Sequence, residues 1–385
     1  LKKPDPVFWI NLTISDNPYM PIICKKYIET VGVDAAQKHP IGSGPYRLVE
    51  HKLGDYMKFE AFEQHWRVAP EFKYLIMRMV HEESTRAAML KTGDIDISPI
   101  SADRIPELHK AGIGASAWPG GYIISLNFGG MVIPEDKRYV EGYSRMDPWK
   151  DIKVREAMNI AIDRKAIVKA IYQGSASPAT IGILSPGWNE QQPYPYDPNR
   201  AKRLLAEAGY PNGFSLKLNT QPHSPGVEIP RLCEAVAGYW EAIGIKVEII
   251  PGTYAGIRSM LKAVKTAGRV WVLRLSYIED WTVRFGNYYL PNGTVVYYQD
   301  AGIAALGKKL ISEMGYEKRQ AIWREIAKYL RDNYATASIV TAHPAWGYNS
   351  KKVGDWPRNM ATRPSNYVYI RHAEPLNKYR LFEIN

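Results

Sequence analysis

Cysteine is almost missing from this 385-residue chain: Cys24 and Cys233 are the only two, without CxxC or metal-ligand spacing. That excludes a disulfide framework, though not a single long-range bridge, and argues against a structural zinc site; two separate buried or half-buried thiols are expected. No apolar run approaches the ~20 residues that cross a bilayer as a helix. The motifs of common enzyme classes are missing too: there is no GxSxG, HExxH, GxxxxGK[ST], or GxGxxG opening a helix after a strand. Gly42-Ser-Gly44 is followed by Pro45, which removes a backbone N–H where a phosphate loop needs donors, so the segment reads as a turn before a strand. The acid pairs Glu82-Glu83, Glu135-Asp136 and Glu279-Asp280 are adjacent in sequence, so each pair points apart and none supplies two carboxylates facing across a substrate. No catalytic residue, cofactor or metal is therefore expected. The chain starts at Leu1, and Leu-Lys-Lys-Pro is no signal peptide, so an upstream segment is expected to have been removed.

What is present begins with charge. Fifty Lys and Arg against 39 acids leave +11, but the basic residues are dispersed and form no tract. A solvated basic surface is the reading, and no nucleic-acid partner is expected. Aromatics are the other unusual feature: eleven Trp and twenty-six Tyr against eight Phe. Tyr and Trp join an apolar face to a hydrogen-bonding tip, which suits wet binding clefts. Trp188, Tyr194, Tyr196, Trp281, Trp346 and Trp356 fall in expected loops, whereas Trp323 and Tyr329 fall on a helix and read as packing.

Along the chain, residues 1–40 read as irregular, with an extended piece around Val7–Leu12. Strands are predicted at Tyr46–Glu50, Tyr56–Ala61 and Lys73–Met79, with Gly54-Asp55 making a tight hairpin. A helix over Glu82–Lys91 stops at Gly93, followed by a short strand Ile95–Ile97, a helix Ala102–Lys110 and a strand Tyr122–Phe128. Helices follow over Lys153–Ile162, with Val154, Ala157, Met158 and Ala161 as a stripe, and from Asp163 to Tyr172. A loop rich in Pro and Tyr, Ser185–Asp197, leads into a helix that Asp197-Pro198 caps and Gly209 ends. Phe214–Thr220 and Ile245–Ile250 are strands flanking a helix, Val270–Leu275 is another strand, and Tyr316–Leu330 is a long amphipathic helix. This succession predicts an α/β architecture with partly parallel sheets.

Four blocks in this order resemble one family. Pro40-Ile-Gly-Ser-Gly-Pro-Tyr-Arg-Leu48 is similar to the GTGPY-type segment of the bacterial extracellular solute-binding proteins, family 5, the oligopeptide-, dipeptide- and nickel-binding group. Ser84-Thr85-Arg86 with Lys91-Thr-Gly-Asp-Ile-Asp96, Asp151 to Arg164, and Tyr194 to Gly209 match its further segments. The resemblance implies a type II periplasmic binding protein-like fold of two lobes with mixed sheets, plus the remnant of an extra domain at 1–40. It implies an incomplete lobe one at 41–128 and 348–385 and a lobe two at 129–347, hinged at Asn127–Gly130 and Trp346–Asn349. It also implies a chain truncated at its N-terminus, found in the periplasm or outside the cell and anchored to lipid through the missing segment.

The function so implied is capture of a peptide or other small polar solute by hinge closure and delivery to the permease of an ABC importer by a monomer. In peptide-binding members an aspartate of lobe two, after a strand and a Trp, pairs with the peptide amine; here Leu275-Ser-Tyr-Ile-Glu-Asp-Trp281 offers Glu279 or Asp280 without the preceding Trp. The candidate ligand-binding residues are Tyr122 and Asn127 at the end of a lobe-one strand, Trp188 in the Pro-rich loop, and Tyr277, Glu279, Asp280 and Trp281 after the lobe-two strand. His343 and Trp346 near the return complete the set, although a structural histidine is the stronger expectation for His343. The competing expectation is a cytoplasmic transcriptional regulator that carries a solute-sensing domain of the same fold.

Overall fold

A computed structural model describes residues 5–6, 8, 23–66, 69–117, 121–131, 147–183, 187–223, 226–263, 265–276, 281–290, 293 and 295–354. The chain forms two compact units: a smaller one of Pro18–Ile100, Arg104–Pro119 and Ala345–Asn385, and a larger one of Leu1–Asn17, Ser101–Asp103 and Gly120–Pro344.

In the smaller unit, the stretch expected to be irregular contains two short helices, α1 (Lys25–Val31) and α2 (Val33–Lys38), neither with a buried residue. The antiparallel strands β1 (Tyr46–Lys52), β2 (Tyr56–Ala61) and β3 (Tyr74–Arg78) follow. Gly54 turns the first hairpin at φ 79°, and Asp55 N donates to Lys52 O at 3.0 Å. Helix α3 (Glu83–Thr92) ends at Gly93, which takes φ 81° as a left-handed cap. Strand β4 (Ile97–Ile100) starts two residues later than expected, and Ala102–Arg104 is a 3-10 turn before α4 (Ile105–Lys110). The last strand in chain order, β12 (Ala345–Tyr348), runs between β4 and β5 (Gly114–Ala117). A Cβ on Gly347 of β12 would lie 2.7 Å from Leu90, so α3 settles directly on that backbone.

The larger unit is built on a six-stranded sheet ordered β7-β11-β6-β10-β8-β9. Its strands are β6 (Tyr122–Phe128), β7 (Ala176–Pro178), β8 (Ser215–Thr220), β9 (Lys246–Pro251), β10 (Arg269–Ser276) and β11 (Thr336–Ala342). Strands β10, β8 and β9 run parallel, while β6 is antiparallel to both β10 and β11. Every residue of β6 and β11 is buried, as expected of strands covered on both faces. The helices are α5 (Ile152–Ile160), α6 (Arg164–Tyr172), α7 (Pro198–Glu207), α8 (Ile229–Glu241), α9 (Tyr254–Lys262), α10 (Thr282–Tyr289), α11 (Ala301–Ser312) and α12 (Tyr316–Asp332). Asp151, Asp163 and Asp197 cap α5, α6 and α7 by accepting from backbone N–H groups at 2.8–2.9 Å. Trp149, Trp240, Trp271, Trp281 and Trp323 are among the largest fully buried side chains, so much of the tryptophan content serves the core.

Several expectations change here. Strand β6, expected in lobe one, is a central strand of the larger unit, because it hydrogen-bonds β10 on one side and β11 on the other. The expected hinge segments each lie within one unit: Asn127 and Phe128 are inside β6, and Trp346 is inside β12. Among the described residues the chain crosses between units at residues 100–101, 103–104 and 344–345. Cys24 is exposed, not buried or half-buried, while Cys233 is buried, and both are free thiols. The extended piece around Val7–Leu12 lies mostly outside the described residues.

Candidate functional site

The carboxyl ends of four strands meet at one edge of the six-stranded sheet. Tyr122, the first residue of β6, is paired with Ser276 at the end of β10 and with Ala342 at the end of β11. Thr220 and Pro251 end β8 and β9 side by side. In α/β sheets this is the edge where loops leave the strands and ligands bind.

Tyr122, Glu228, Arg274, His223 and Tyr254 are among the described side chains at that edge. Tyr122 donates its hydroxyl to Glu228 Oε1 at 2.8 Å, a bond spanning 106 residues of sequence. Glu228 is 4% exposed and sits immediately before α8, whose positive N-terminal end favours a carboxylate. The Arg274 guanidinium, the one charge in the apolar run Val270–Leu275, lies over the Tyr122 ring at 5.3 Å. After β8, Gly226 N donates to His223 O at 2.7 Å, and the His223 ring lies 4.7 Å from Tyr254. Tyr254 opens α9, where Thr253 Oγ1 accepts from Gly256 N at 3.1 Å.

Burial sets the protonation of these groups. It raises the Tyr122 and Tyr172 hydroxyls well above the ordinary phenol value, and the negative Glu228 beside them adds to the rise. Burial, followed by the positive Arg274, pushes His223 down to about 4, so its imidazole is neutral near pH 7. Arg274 is lowered by burial and held up by Tyr122, Tyr254 and Glu228. A guanidinium remains charged under such a shift. The edge thus offers aromatic faces, one cation and one anion, which suits holding a polar solute by stacking and hydrogen bonds. Among the described residues, no group of three or more His, Cys, Asp or Glu side chains is arranged to hold a metal ion.

The residues expected from sequence separate into three groups. Tyr122 is at this edge, and His343, directly after β11, is there too; burial lowers its imidazole, and Nδ1 has no hydrogen-bond partner. Asn127, Trp281 and Trp346 are buried. Asn127 is five residues further along β6, about 17 Å away at ~3.4 Å per residue. It pairs with Trp271 and Thr336 near the opposite edge, 1% exposed. Trp281 is wholly buried, 6.0 Å from the Tyr288 ring. Trp346 packs with Val353, Phe72, Ile97 and Tyr348 in the core of the smaller unit. Tyr277, Glu279 and Asp280 lie outside the described residues. Of Trp188 only the backbone is described, in a 3-10 turn whose neighbour Glu190 pairs with Arg324 of α12 at 2.9 Å.

Glu228, Arg274, His223, Tyr172 and Tyr254 were not expected. For Arg274 a signal existed, a lone charge in an apolar strand; for the others there was none, since their meeting depends on strand order.

A different depression, of about 850 Å³, opens at the other edge of the same sheet. Its lining includes Lys217, Lys246, Glu248 and Arg269 at the amino ends of β8, β9 and β10.

Residues 1–294 match the family described as bacterial extracellular solute-binding proteins, family 5 Middle. The chain is 30% identical over 234 residues to Heme-binding protein A of Haemophilus influenzae, covering 60% of this chain and 41% of that protein. It is 33% identical over 258 residues to the glutathione-binding protein GsiB of Shigella boydii, covering 65% of this chain and 46% of that one. The chain therefore spans less than half the length of these curated relatives. In fold it is similar to the ABC transporter-associated periplasmic binding protein DppA of Helicobacter pylori in complex with the peptide STSA. That match has a TM-score of 0.76 at 20% identity and covers 92% of this chain and 68% of that one. With the family matched across most of its length and the type II binding-protein fold shared, this chain belongs to the bacterial extracellular solute-binding proteins, family 5.

Proposed function

We propose that this chain captures a peptide or other small polar solute at the carboxyl edge of the six-stranded sheet and hands it, unchanged, to an ABC importer. The observation that carries this reading is the group of Tyr122 and Glu228, both buried, with the half-buried Arg274, placed where loops leave four strand ends. A carboxylate buried there is costly unless its surroundings satisfy it. Family membership and the solute-binding names of the relatives support the same reading. Glu279 and Asp280 remain the proposed amine partners of a peptide, and a hinge is proposed at the crossing at residues 344–345. The proposed working compartment is the periplasm or cell exterior, with a transporter permease as partner; among the described residues no helix is long and apolar enough to cross a membrane.

The test is titration of the 385-residue chain with Ala-Ala-Ala, reduced glutathione and haem, followed by tryptophan fluorescence. Saturable binding of at least one, weakened about tenfold or more by Arg274→Gln, is expected. No saturation by any of them, together with no solute carried through native mass spectrometry, would overturn the proposal.

A further inference from the structure

Two rings come together at the carboxyl edge for a reason that lies in the strand register. Strands β8 and β9 run parallel with Thr220 opposite Pro251, and Gly252 N donates to Thr220 O at 2.8 Å, tying the two exits together. His223 follows Thr220 by three residues, and Tyr254 follows Pro251 by three. Their ring centroids lie 4.7 Å apart, with the planes tilted by 47°. Thr253 Oγ1 accepts from Gly256 N at 3.1 Å and so caps the helix that Tyr254 opens. Tyr254 is 44% exposed and His223 is half-buried, whereas Tyr122 and Tyr172 are each only 3% exposed. The Tyr122 ring is covered further by the Arg274 guanidinium at 5.3 Å. Of these four side chains, His223 and Tyr254 are therefore the ones that offer ring surface to solvent. The His223 imidazole is neutral near pH 7, so no charge loses its water when another ring lies against it. A single exposed tyrosine is ordinary on any surface. A ring pair drawn from two loops at the ends of parallel strands stands where an α/β sheet receives its ligand.

We infer that His223 and Tyr254 form an aromatic subsite, which takes a planar apolar side chain of the solute such as the phenyl ring of a small peptide. The inference rests on the carboxyl edge being the solute site. Rings tilted by 47° offer a third ring a face on one side and an edge on the other. Aromatic quadrupoles favour such offset and T-shaped contacts over a sandwich, and the gain comes on top of the apolar area buried. A methyl side chain covers little of either ring and gains neither contribution.

Calorimetric titration of the whole chain compares Ala-Ala-Ala with Phe-Ala-Ala, Ala-Phe-Ala and Ala-Ala-Phe, because a subsite reads one position of a peptide. One of the Phe peptides should bind about fivefold tighter than Ala-Ala-Ala. That ratio should fall to about one in Tyr254→Ala/His223→Gln and persist in Tyr254→Phe, which keeps the ring. Should the double variant not fold, Tyr254→Ala alone, a change at an exposed position, should lower the ratio to about twofold. Binding of the peptides with no preference for any Phe position, or a preference that survives loss of both rings, overturns the inference and leaves the proposed function standing. Failure of all the peptides to bind counts against the proposed function instead, and N-acetylphenylalaninamide then decides the inference by saturation-transfer NMR. Its phenyl protons should receive saturation from the parent and none from Tyr254→Ala/His223→Gln. No transfer from the parent, or equal transfer from both, overturns the inference.

Discussion

The two edges of the six-stranded sheet use charge in opposite ways. At the carboxyl edge Glu228 is buried, its acceptor oxygen is held at 2.8 Å, and the cation near it lies over an aromatic ring. At the amino edge the charges stand in solvent: Lys217 and Glu248 approach only to 3.8 Å and are 48% and 60% exposed. What is tight at the amino edge is backbone instead. A Cβ on Gly129 would lie 1.7 Å from Thr266 O, and Trp149 Nε1 donates to Gly129 O at 2.8 Å. The same strands therefore end in a buried polar constellation on one side and in close-packed backbone with a screened, open depression on the other. Discrimination of a solute needs the former, because water screens exposed charge and leaves little to tell one ligand from another.

That contrast can be broken at graded cost. Glu228→Leu should be the most damaging change, losing about 4 kcal/mol in urea unfolding, since it strips the buried Tyr122 hydroxyl of its acceptor. Gly129→Ala should cost about 3 kcal/mol by the same measurement, through steric overlap alone and with no effect of salt. His223 makes the carboxyl edge sensitive to pH. Its folded value of about 4 lies below the ordinary 6.5, so the neutral ring stabilises the fold fully above pH 6.5. As pH falls from 6.5 to about 4 the unfolded chain takes up the proton first, and about 2 kcal/mol is lost, allowing for partial exposure. His223→Gln should flatten that part of the stability–pH curve; an unchanged slope would place the lost stability in another group. Smallest is the amino edge pair: a double-mutant cycle with Lys217→Ala and Glu248→Ala should give a coupling of about 0.3 kcal/mol, vanishing in high salt.

Much of the framework was legible because its signals are local. Asp151, Asp163 and Asp197 each cap a helix within three residues of themselves, and Gly93 stops one by its own φ. The elements missed had their local signal suppressed by packing. Helix α11 carries Gly302 and Gly307, poor helix formers, because the Tyr329 and Phe285 rings occupy the space of a side chain. Strand β11 reads Thr-Ala-Ser-Ile-Val-Thr-Ala, without the alternation of a half-exposed strand, because both its faces are covered. Asn127 was misplaced for a related reason: the strand was recognised, but which of its ends faces the loops depends on its neighbours.

The amino-acid sequence by itself determined the family, the α/β succession, the helix caps and Tyr122 as the start of a buried strand, all properties carried by residues close together along the chain. Only the tertiary structure decided that β6 belongs between β10 and β11, that Trp281 and Trp346 serve their cores, and that Glu228 meets a tyrosine 106 residues away. Strand order is chosen by long-range burial and hydrogen bonding, and no pattern within a short window encodes which strand ends will share an edge.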